Sequence, residues 1–508
     1  MSLFVFANDS FAYGNVNELE IIAPKEAGTG SPALNESARY FRAYPGIEYN
    51  IRAAVIGGAY PYVFSLSSAP EGMTINSQTG EITWSNPQAS AGPIILKVTD
   101  SEGTSVTTSW SITVTTSGFI FVDRSYSGTE TGSINQPYNS IQDLLNLNGH
   151  ASDIVYFRAG TYKLPTYHSN ISTGMGCRLD YGGGKPHMWL AYPGETVTID
   201  MDDHLIEDTS ASLNPSYYFD GLTFTNMRDY GFRIASGNHY VTFRRCDFNN
   251  LVVTRTTNEN MGFVFFTQVG NGYYNVFQDS KFHDYHGGAG IGSIYNKHKL
   301  LIEDCQIYNQ YQDDKIYADA LAIKTESTFV TIRHNRVVVS EGTILGSAMN
   351  GCLIRTSNLE VCYNYFWNQG TGTAHTFNNH SSTGVVYYYR NTCRGVMSFK
   401  YLNSCLDECG RAGRTLLNGP FYIDNNIIIN DMADVTYHYT CGENPEQCLV
   451  LSDNIFNVPL AGIVDENGSL LNRTYVGTYG WEIAEDEYWS GDPGDATAPT
   501  APSGLSVS

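Results

Sequence analysis

Basic residues are scarce in this chain of 508 residues. It contains 29 Lys and Arg against 51 Asp and Glu, a formal net charge of −22, and charged residues make up only 16% of the sequence. A surface this acidic argues against nucleic acid or an anionic membrane as the main partner. The acidity fits a secreted protein, and carboxylates can also bind Ca²⁺, although solubility alone explains the charge equally well.

Long apolar runs and zinc-type cysteine spacings are also missing. No run is long enough to span a bilayer, and "MSLFVFA" at residues 1–7 is too short for a signal peptide. The ten cysteines include no CxxC pair, but Cys405 with Cys409 and Cys441 with Cys448 lie close enough for loop disulfides outside the cytosol. We therefore expect a secreted, extracellular bacterial protein that is monomeric and has neither a membrane nor a nucleic acid as its partner.

Tyrosine and glycine are abundant, with 36 and 49 residues, which favours an all-β protein. After a segment at 1–14, residues 15–116 alternate apolar and polar side chains between turn signals such as Gln78-Thr79-Gly80. The phrase "APEGMTINSQTGEITW" resembles the Ig-like, cadherin-related modules of secreted bacterial proteins. That resemblance implies a small β-sandwich, and we expect it to act as a spacer or a weak carbohydrate contact.

An internal repeat follows between residues 117 and 470. Eight short apolar segments each end at a small or amide residue, and most are followed directly by a second apolar strand; the end positions are Cys246, Ser280, Cys305, Asn335, Asn364, Asn391, Asn426 and Asn454. The intervals of 25 to 35 residues suit one coil of a parallel β-helix with loop insertions. The predicted fold is thus all-β: a right-handed parallel β-helix preceded by a small Ig-like sandwich, with a tail and linker at 471–508 that runs towards a fibronectin III-like module.

The five asparagines explain why the coils would stack in register. Equivalent turns of neighbouring coils lie about 4.8 Å apart, so side-chain amides at one position can bond from coil to coil. Asparagine also tolerates the left-handed backbone that a sharp turn requires, and we expect the ladder residues to adopt it. A β-propeller or a jelly roll would not predict such a ladder.

The same register predicts a first strand before each ladder segment, including "DALAIK" at 319–324 and "GCLIRT" at 351–356. By analogy with pectate-lyase-like helices, the sheet of first strands would be an open substrate groove. Its expected outward polar residues are Asn296, Asp319, Lys324, Arg355, His375, Asn378 and Lys400. Two cations in successive coils repel each other, so Lys324 and Arg355 indicate a groove for a negatively charged chain.

"DALAIKTESTFVTIRHN" and "CLIRTSNLEVCYN" are similar to the active-site coils of polysaccharide lyase family 6, the alginate lyases and chondroitinase B. The resemblance covers about 45 residues and implies β-elimination on a uronate polysaccharide, with Lys324 as the base and Arg355 as its positive neighbour. It further implies a calcium ion on Asp319, with Asn296, Asp313 or Asp314 as further ligands, and a substrate surface formed by His375, Asn378, Lys400 and Tyr295. The chain departs from the family pattern at Tyr317 and at Thr356-Ser357.

Two other functions remain open. A glycoside hydrolase acting on an algal, sulfated polysaccharide would need two facing carboxyl groups, and Asp313 with Asp314 are the best placed in the sequence. A non-catalytic adhesin or tailspike-like rod would need neither the base nor the acids. His283 and His286 could form a metal pair, but loop histidines are more often ordinary hydrogen-bonding residues.

Overall fold

The computed structural model describes the chain in 22 stretches. They are residues 17–34, 38–165, 168–171, 174–178, 185, 187–208, 217–235, 237–254, 261–266, 270–294, 297–311, 319–323, 327–339, 343–346, 357–368, 375–379, 385–394, 396–399, 421–424, 426–429, 449–452 and 455–456. Together they form an Ig-like β-sandwich followed by a long parallel β-helix, which confirms the predicted fold class.

The Ig-like module contains nine strands and one short 3₁₀ helix at Arg39–Phe41. Alternation drives its packing: in the eighth strand Ile94, Leu96 and Val98 are buried while Lys97 faces solvent. A four-stranded sheet, ordered β2-β9-β8-β5, accompanies a three-stranded sheet, β3-β7-β6, and a β1-β4 pair. The strands are β1 Glu20–Ala23, β2 Arg42–Ala43, β3 Tyr49–Arg52, β4 Ala54–Ile56, β5 Val63–Ser68, β6 Met73–Ile75, β7 Glu81–Trp84, β8 Ala91–Thr99 and β9 Ser105–Val114.

One long sheet of the β-helix consists of the ladder segments, and we call it the second-strand sheet. Its neighbours pair in parallel from coil to coil, and the helix α1 Ile141–Asn146 packs Ile141 and Leu144 into the core beneath it. The strands are β10 Phe119–Val122, β11 Ile154–Phe157, β15 Met188–Ala191, β18 Tyr218–Asp220, β22 Thr242–Arg244, β25 Gly272–Tyr273, β26 Val276–Gln278, β29 Lys297–Glu303, β32 Thr328–Arg333, β35 Ser357–Cys362, β38 Val386–Tyr389, β41 Phe421–Asp424 and β43 Leu449–Ser452.

The remaining strands form one continuous 22-stranded sheet. In it the third strand of each coil, which is the strand that follows the ladder residue, alternates along the chain with the first strand of the next coil. We call the first strands the first-strand sheet; they pair in parallel in the order β17, β21, β24, β28, β31, β34, β37 and β40. The bounds are β12 Gly160–Lys163, β13 His168–Ile171, β14 Gly174–Arg178, β16 Val197–Asp200, β17 Leu205–Asp208, β19 Leu222–Thr225, β20 Met227–Arg228, β21 Tyr230–Ile234, β23 Asp247–Val252, β24 Gly262–Phe266, β27 Lys281–His286, β28 Ala289–Ile294, β30 Gln306–Tyr311, β31 Asp319–Ile323, β33 Arg336–Val339, β34 Thr343–Gly346, β36 Tyr365–Asn368, β37 His375–Asn379, β39 Thr392–Arg394, β40 Val396–Phe399, β42 Ile427–Ile429 and β44 Ile455–Phe456.

The predicted amide ladder is present. The side-chain nitrogen of Asn335 donates to the side-chain oxygen of Asn364 at 3.0 Å, Asn364 donates to Asn391 at 2.9 Å, and Asn391 donates to Asn426 at 3.1 Å. Each acceptor oxygen also takes the backbone N–H of the preceding ladder residue, at 2.8 to 2.9 Å. These buried amides therefore fix the register of the coils, while Asn454 lies outside the described residues.

The explanation for the turn itself was wrong in one respect. The left-handed residue is the one before each ladder position, with φ of 54° at His334, 57° at Tyr363 and 52° at Arg390. The ladder asparagine thus keeps an ordinary backbone and uses its amide for bonding between coils. The residues that adopt the strained positive φ are a histidine, a tyrosine and an arginine, whose side chains have little chemistry in common.

The Ig-like module packs directly against the outer face of the second-strand sheet. Tyr40 meets Tyr218 edge-on with ring centroids 5.8 Å apart, and Tyr44 meets Phe121 in the same way at 5.1 Å. Polar contacts add to this apolar seam, since the Gln278 side chain donates to the carbonyl of Ala53 at 3.0 Å. The module is therefore docked on the β-helix.

Arg52 of the module forms the most charged contact of this seam. It pairs with Asp279 at 2.5 Å and also with Asp304, and His334 pairs with Asp304 from the other side. Burial alone would lower the pKa of His334, but the Asp304 carboxylate raises it above its usual value. Arg52 and Asp304 lie 252 positions apart in the sequence.

Candidate active site

The first-strand sheet contains three of the predicted site residues, on two strands that are separated by a third. Asp319 in β31 pairs with Thr343 in β34, which pairs with His375 in β37. Asn378 lies opposite Gly346 in the same two strands. Because parallel strands are about 4.8 Å apart, the backbones of Asp319 and His375 are separated by roughly 10 Å.

The other predicted site residues lie outside the described residues: Tyr295, Asn296, Asp313, Asp314, Lys324, Arg355 and Lys400. The four cysteines expected in loop disulfides also do. Their neighbours in the chain nevertheless limit where the two proposed catalytic residues can lie. Lys324 falls in the three-residue connection between Ile323, which ends β31, and Ser327.

Arg355 belongs to the equivalent connection of the next coil. It lies between Gly346, which ends β34, and Ser357, which begins β35. Ser357 pairs with Thr328 of the preceding coil, just as β34 pairs with β31. The chain therefore passes from first to second strand within residues 324–326 in one coil and within residues 347–356 in the next.

The predicted first strand of this second coil was wrong. The strand between β31 and β37 is Thr343–Gly346, whereas the sequence predicted residues 351–356. "TILG" and "CLIR" are both short apolar runs, and β34 pairs with β31 on one side and with β37 on the other. Arg355 consequently follows the end of this first strand by nine positions in the sequence, and residues 351–356 lie outside the described residues.

The sheet is also less open than expected. Gly290 and Gly292 of β28 and Ala320 and Ala322 of β31 are buried along with the core residues between them. A Cβ at Gly290 would approach the Ala320 carbonyl oxygen to 2.9 Å, so this strand needs glycine to pack so closely. Strands buried on both faces are usual in parallel sheets, and β28 and β31 are packed in this way at these four positions.

The described backbone does not bring a calcium site together. Ile294 at the end of β28 lies opposite Ile323 at the end of β31. In the sequence Asn296 therefore follows the carboxyl end of β28, whereas Asp319 is the first residue of β31, at the opposite end of the strand. Within the described ranges, no three His, Cys, Asp or Glu residues form a group that could hold a metal. The register gives no support to a shared ion between Asn296 and Asp319, and the calcium site remains a prediction.

One charged pair of the first-strand sheet was missed by the sequence reasoning. Arg233 in β21 lies in register with Glu207 in β17, and the two side chains form a tight ion pair. Glu207 is only 2% exposed, so the pair belongs to the packed part of the sheet. The signal was present in "LIED" and "GFRI", whose charged residues occupy the same strand position.

His283 and His286 do not form a metal pair. The His283 ring lies between Asp247, with Nε2 to Oδ1 at 2.9 Å, and Asp284, with Nδ1 to Oδ2 at 2.7 Å. Burial alone would lower its pKa, but the two carboxylates raise it above its usual value. His286 instead stacks on Tyr311 with ring centroids 4.8 Å apart, so both histidines make ordinary side-chain contacts.

Comparisons with known proteins identify the amino-terminal module. Residues 32–115 match the family model described as Putative Ig domain (He_PIG). None of the curated proteins compared matches the chain. Among the described residues, no helix has the length and apolar content needed to cross a membrane.

Solved structures similar to the chain include three carbohydrate-active enzymes. A rhamnogalacturonan lyase is 14% identical, with 74% of this chain and 99% of that chain covered and a TM-score of 0.32. The Yersinia enterocolitica family 28 exopolygalacturonase is 10% identical, with coverage of 84% and 98% and a TM-score of 0.31. A GH87 α-1,3-glucanase catalytic domain is 11% identical, with coverage of 84% and 84% and a TM-score of 0.28. At such identities and TM-scores, none of these likenesses bears on the activity of this chain.

Proposed function

We propose that the chain is a secreted polysaccharide lyase that cleaves an anionic, uronate-containing polysaccharide by β-elimination. The observation that supports this is the register of the strands on either side: the connections that contain Lys324 and Arg355 in the sequence join paired first and second strands of consecutive coils. The two cations repel each other unless an anion lies between them or one of them is neutral. An acidic polymer on the first-strand side would supply that anion.

In this proposal Lys324 removes the C5 proton of the uronate, and the oxygen at C4 leaves with the bonding electrons to give an unsaturated sugar. A lysine must be neutral to accept a proton, and its ordinary pKa is about 10.4. A positive neighbour disfavours the charged form of the amine, so Arg355 would make Lys324 a better base. Arg355 would also bind the carboxylate of the sugar or assist the leaving oxygen.

Calcium belongs to the proposal through the family resemblance. The residues that would hold it are Asp319 and, from the segment just before it, Asp313 or Asp314. When bound, the ion would neutralise the uronate carboxylate and so make the C5 proton easier to remove. Removing it with a chelator would then lower the elimination rate without unfolding the β-helix.

The experiment is a screen of alginate, chondroitin and dermatan sulfates, pectate and sulfated algal galactans, with and without a chelator. A lyase produces a C=C bond conjugated to the carboxylate, which absorbs in the near ultraviolet, together with new reducing ends. New reducing ends without that absorbance would replace the lyase with a hydrolase that uses Asp313 and Asp314. Neither signal on any uronate polymer would leave a non-catalytic binding protein.

A further inference from the structure

A cleft lies at the junction of the Ig-like module and the turns that follow the second strands. Its volume is about 210 Å³, and the residues that line it include Arg39, Glu48 and Asn50 from the module and Tyr192, Asp220 and Arg245 from the β-helix. A cavity of about 150 Å³ holds benzene, so this space is large enough for one six-membered sugar ring. Neither module forms the cleft alone.

Arg39 is the unusual member of this set. It is 2% exposed, its guanidinium lies 4.6 Å from the Tyr49 ring centroid, and one terminal nitrogen donates to the Arg42 carbonyl at 2.9 Å. Its Nε has no hydrogen-bond partner among the described residues, and none of their carboxylates forms an ion pair with it. A buried donor and charge of this kind call for a further partner, which the described residues do not supply.

The carboxylates around the cleft are mostly neutralised already. Asp220 is paired with Arg244 at 2.9 Å and with Arg245 at 2.8 Å; burial alone would raise its pKa, but these arginines hold the pKa below its usual value. Glu195 is held by the Nε of Arg158 at 2.9 and 3.0 Å. Two arginines, Arg39 and Arg245, line the cleft together with three carboxylates, Glu48, Glu195 and Asp220. Arg244 and Arg158 pair with two of these carboxylates from outside the lining.

An aromatic surface accompanies this charge. The half-buried Tyr192 lines the cleft, with Arg158 over its ring at 4.4 Å and Tyr156 edge-on to it at 6.1 Å. Arg245 remains 44% exposed, so its guanidinium can still reach a ligand. Sugar rings pack against aromatic rings, and arginine forms two parallel hydrogen bonds with carboxylates.

We propose that this junction cleft binds an acidic sugar unit of a polysaccharide, with the carboxylate near Arg39 and Arg245 and the sugar ring against Tyr192. The choice of an acidic sugar rests on the proposed function; the existence of the site rests on the cleft. Such a site would hold a second part of the polymer, away from the first-strand sheet, and would give the docked Ig-like module a role in binding.

The test uses oligogalacturonate and oligomannuronate, each compared with its carboxyl-reduced form, and the full chain carrying Lys324→Ala so that the probes are not cleaved. Hydrogen–deuterium exchange of peptides covering residues 190–196 locates the contact, and calorimetry measures the affinity. We expect an acidic oligosaccharide to protect these residues and its reduced form to bind at least about tenfold more weakly.

Matched variants separate binding from folding. Tyr192→Ala should weaken binding about fivefold to tenfold, since it removes only the stacking surface. Glu48→Gln should tighten binding because it removes a negative charge from the cleft. Tyr308→Ala, a half-buried tyrosine stacked on His283 in the third strands, should change neither affinity nor protection.

Equal binding of the reduced oligosaccharides, or unchanged binding by both Tyr192→Ala and Glu48→Gln, would overturn the site. The proposed function fails separately. Protection of residues 190–196 by the oligosaccharides, with no unsaturated product from the unsubstituted chain, would overturn the lyase and keep the cleft. Unsaturated product without protection of residues 190–196 would keep the lyase and overturn the cleft as a binding site.

Discussion

The second-strand side of the β-helix carries opposite charges at matching positions of successive coils, whereas the proposed site on the first-strand side depends on two like charges. On the second-strand sheet one register line runs through Asp220, Arg244, Gln278, Glu303 and Arg333. Acid and base pair directly within this line, as Arg333 does with Glu303 at 2.6 Å, and the Ig-like module covers it. Charges of opposite sign in a column therefore build structure, whereas in the proposed site the like charges of Lys324 and Arg355 would need an anion from outside.

The largest effect is expected at the first-strand side. Lys324→Ala should reduce elimination at least about a hundredfold, because no other base would remove the C5 proton. The measurement is the initial rate of near-ultraviolet absorbance, with circular dichroism to show that the β-helix is folded. Lys97→Ala, an exposed lysine of the Ig-like module, should keep full activity. A folded Lys324→Ala protein with unchanged rate would rule out this lysine as the base.

Breaking the charge network of the second-strand side should be the largest change in stability. Arg52→Ala leaves Asp279 and Asp304 without their shared partner, and removal of one member of a buried pair costs about 3–5 kcal/mol. Urea unfolding measures the loss. Lys163→Ala breaks the surface pair with Asp202 and should leave the transition where it is. An equally small effect from Arg52→Ala would show that the seam is held by apolar contacts alone.

The amide ladder should contribute somewhat less. Asn364→Ala removes the acceptor of two Asn335 N–H groups; the side-chain amide of Asn335 keeps the carbonyls of Ile302 and Arg333, but its buried backbone N–H loses its partner. The free energy of unfolding should therefore fall by about 1–3 kcal/mol. Asn86→Ala is the control, since that side chain is exposed on the Ig-like module and should shift stability by less than about 0.5 kcal/mol. If both variants unfold alike, the ladder is not what fixes the coils.

The smallest expected effect is a pH dependence of the seam. Asp304 raises the pKa of His334, with Arg52 and Glu303 also facing the ring, so the folded chain binds this proton more tightly than the unfolded chain. The resulting stability is complete below the ordinary histidine pKa of about 6.5 and is lost as pH rises through the higher folded value. Between the ordinary and the raised pKa of His334, the melting temperature of the natural chain should fall more steeply with pH than that of the His334→Gln variant. Equal slopes of melting temperature against pH for the two proteins would contradict this.

The repeat predicted the β-helix because an asparagine ladder has few other structural explanations, and Asn335, Asn364, Asn391 and Asn426 all bond as expected. Its local backbone was harder to predict, since His334, Tyr363 and Arg390 adopt the left-handed turn without any residue type in common. The first strand at 343–346 was missed because two apolar runs of similar length compete for one place in the coil. The docking of the Ig-like module could not be predicted at all, because a contact such as Arg52 with Asp304 joins residues from distant parts of the sequence.

The most direct test of the account is a double-substitution cycle on Lys324 and Arg355, read as the rate of unsaturated product from a uronate polymer. If the two residues act as one site, Lys324→Ala combined with Arg355→Ala should be no slower than the more damaging single substitution, because groups that act together are strongly non-additive. Independent losses that multiply in the double variant would contradict the claim that successive coils bring these cations to one reaction centre.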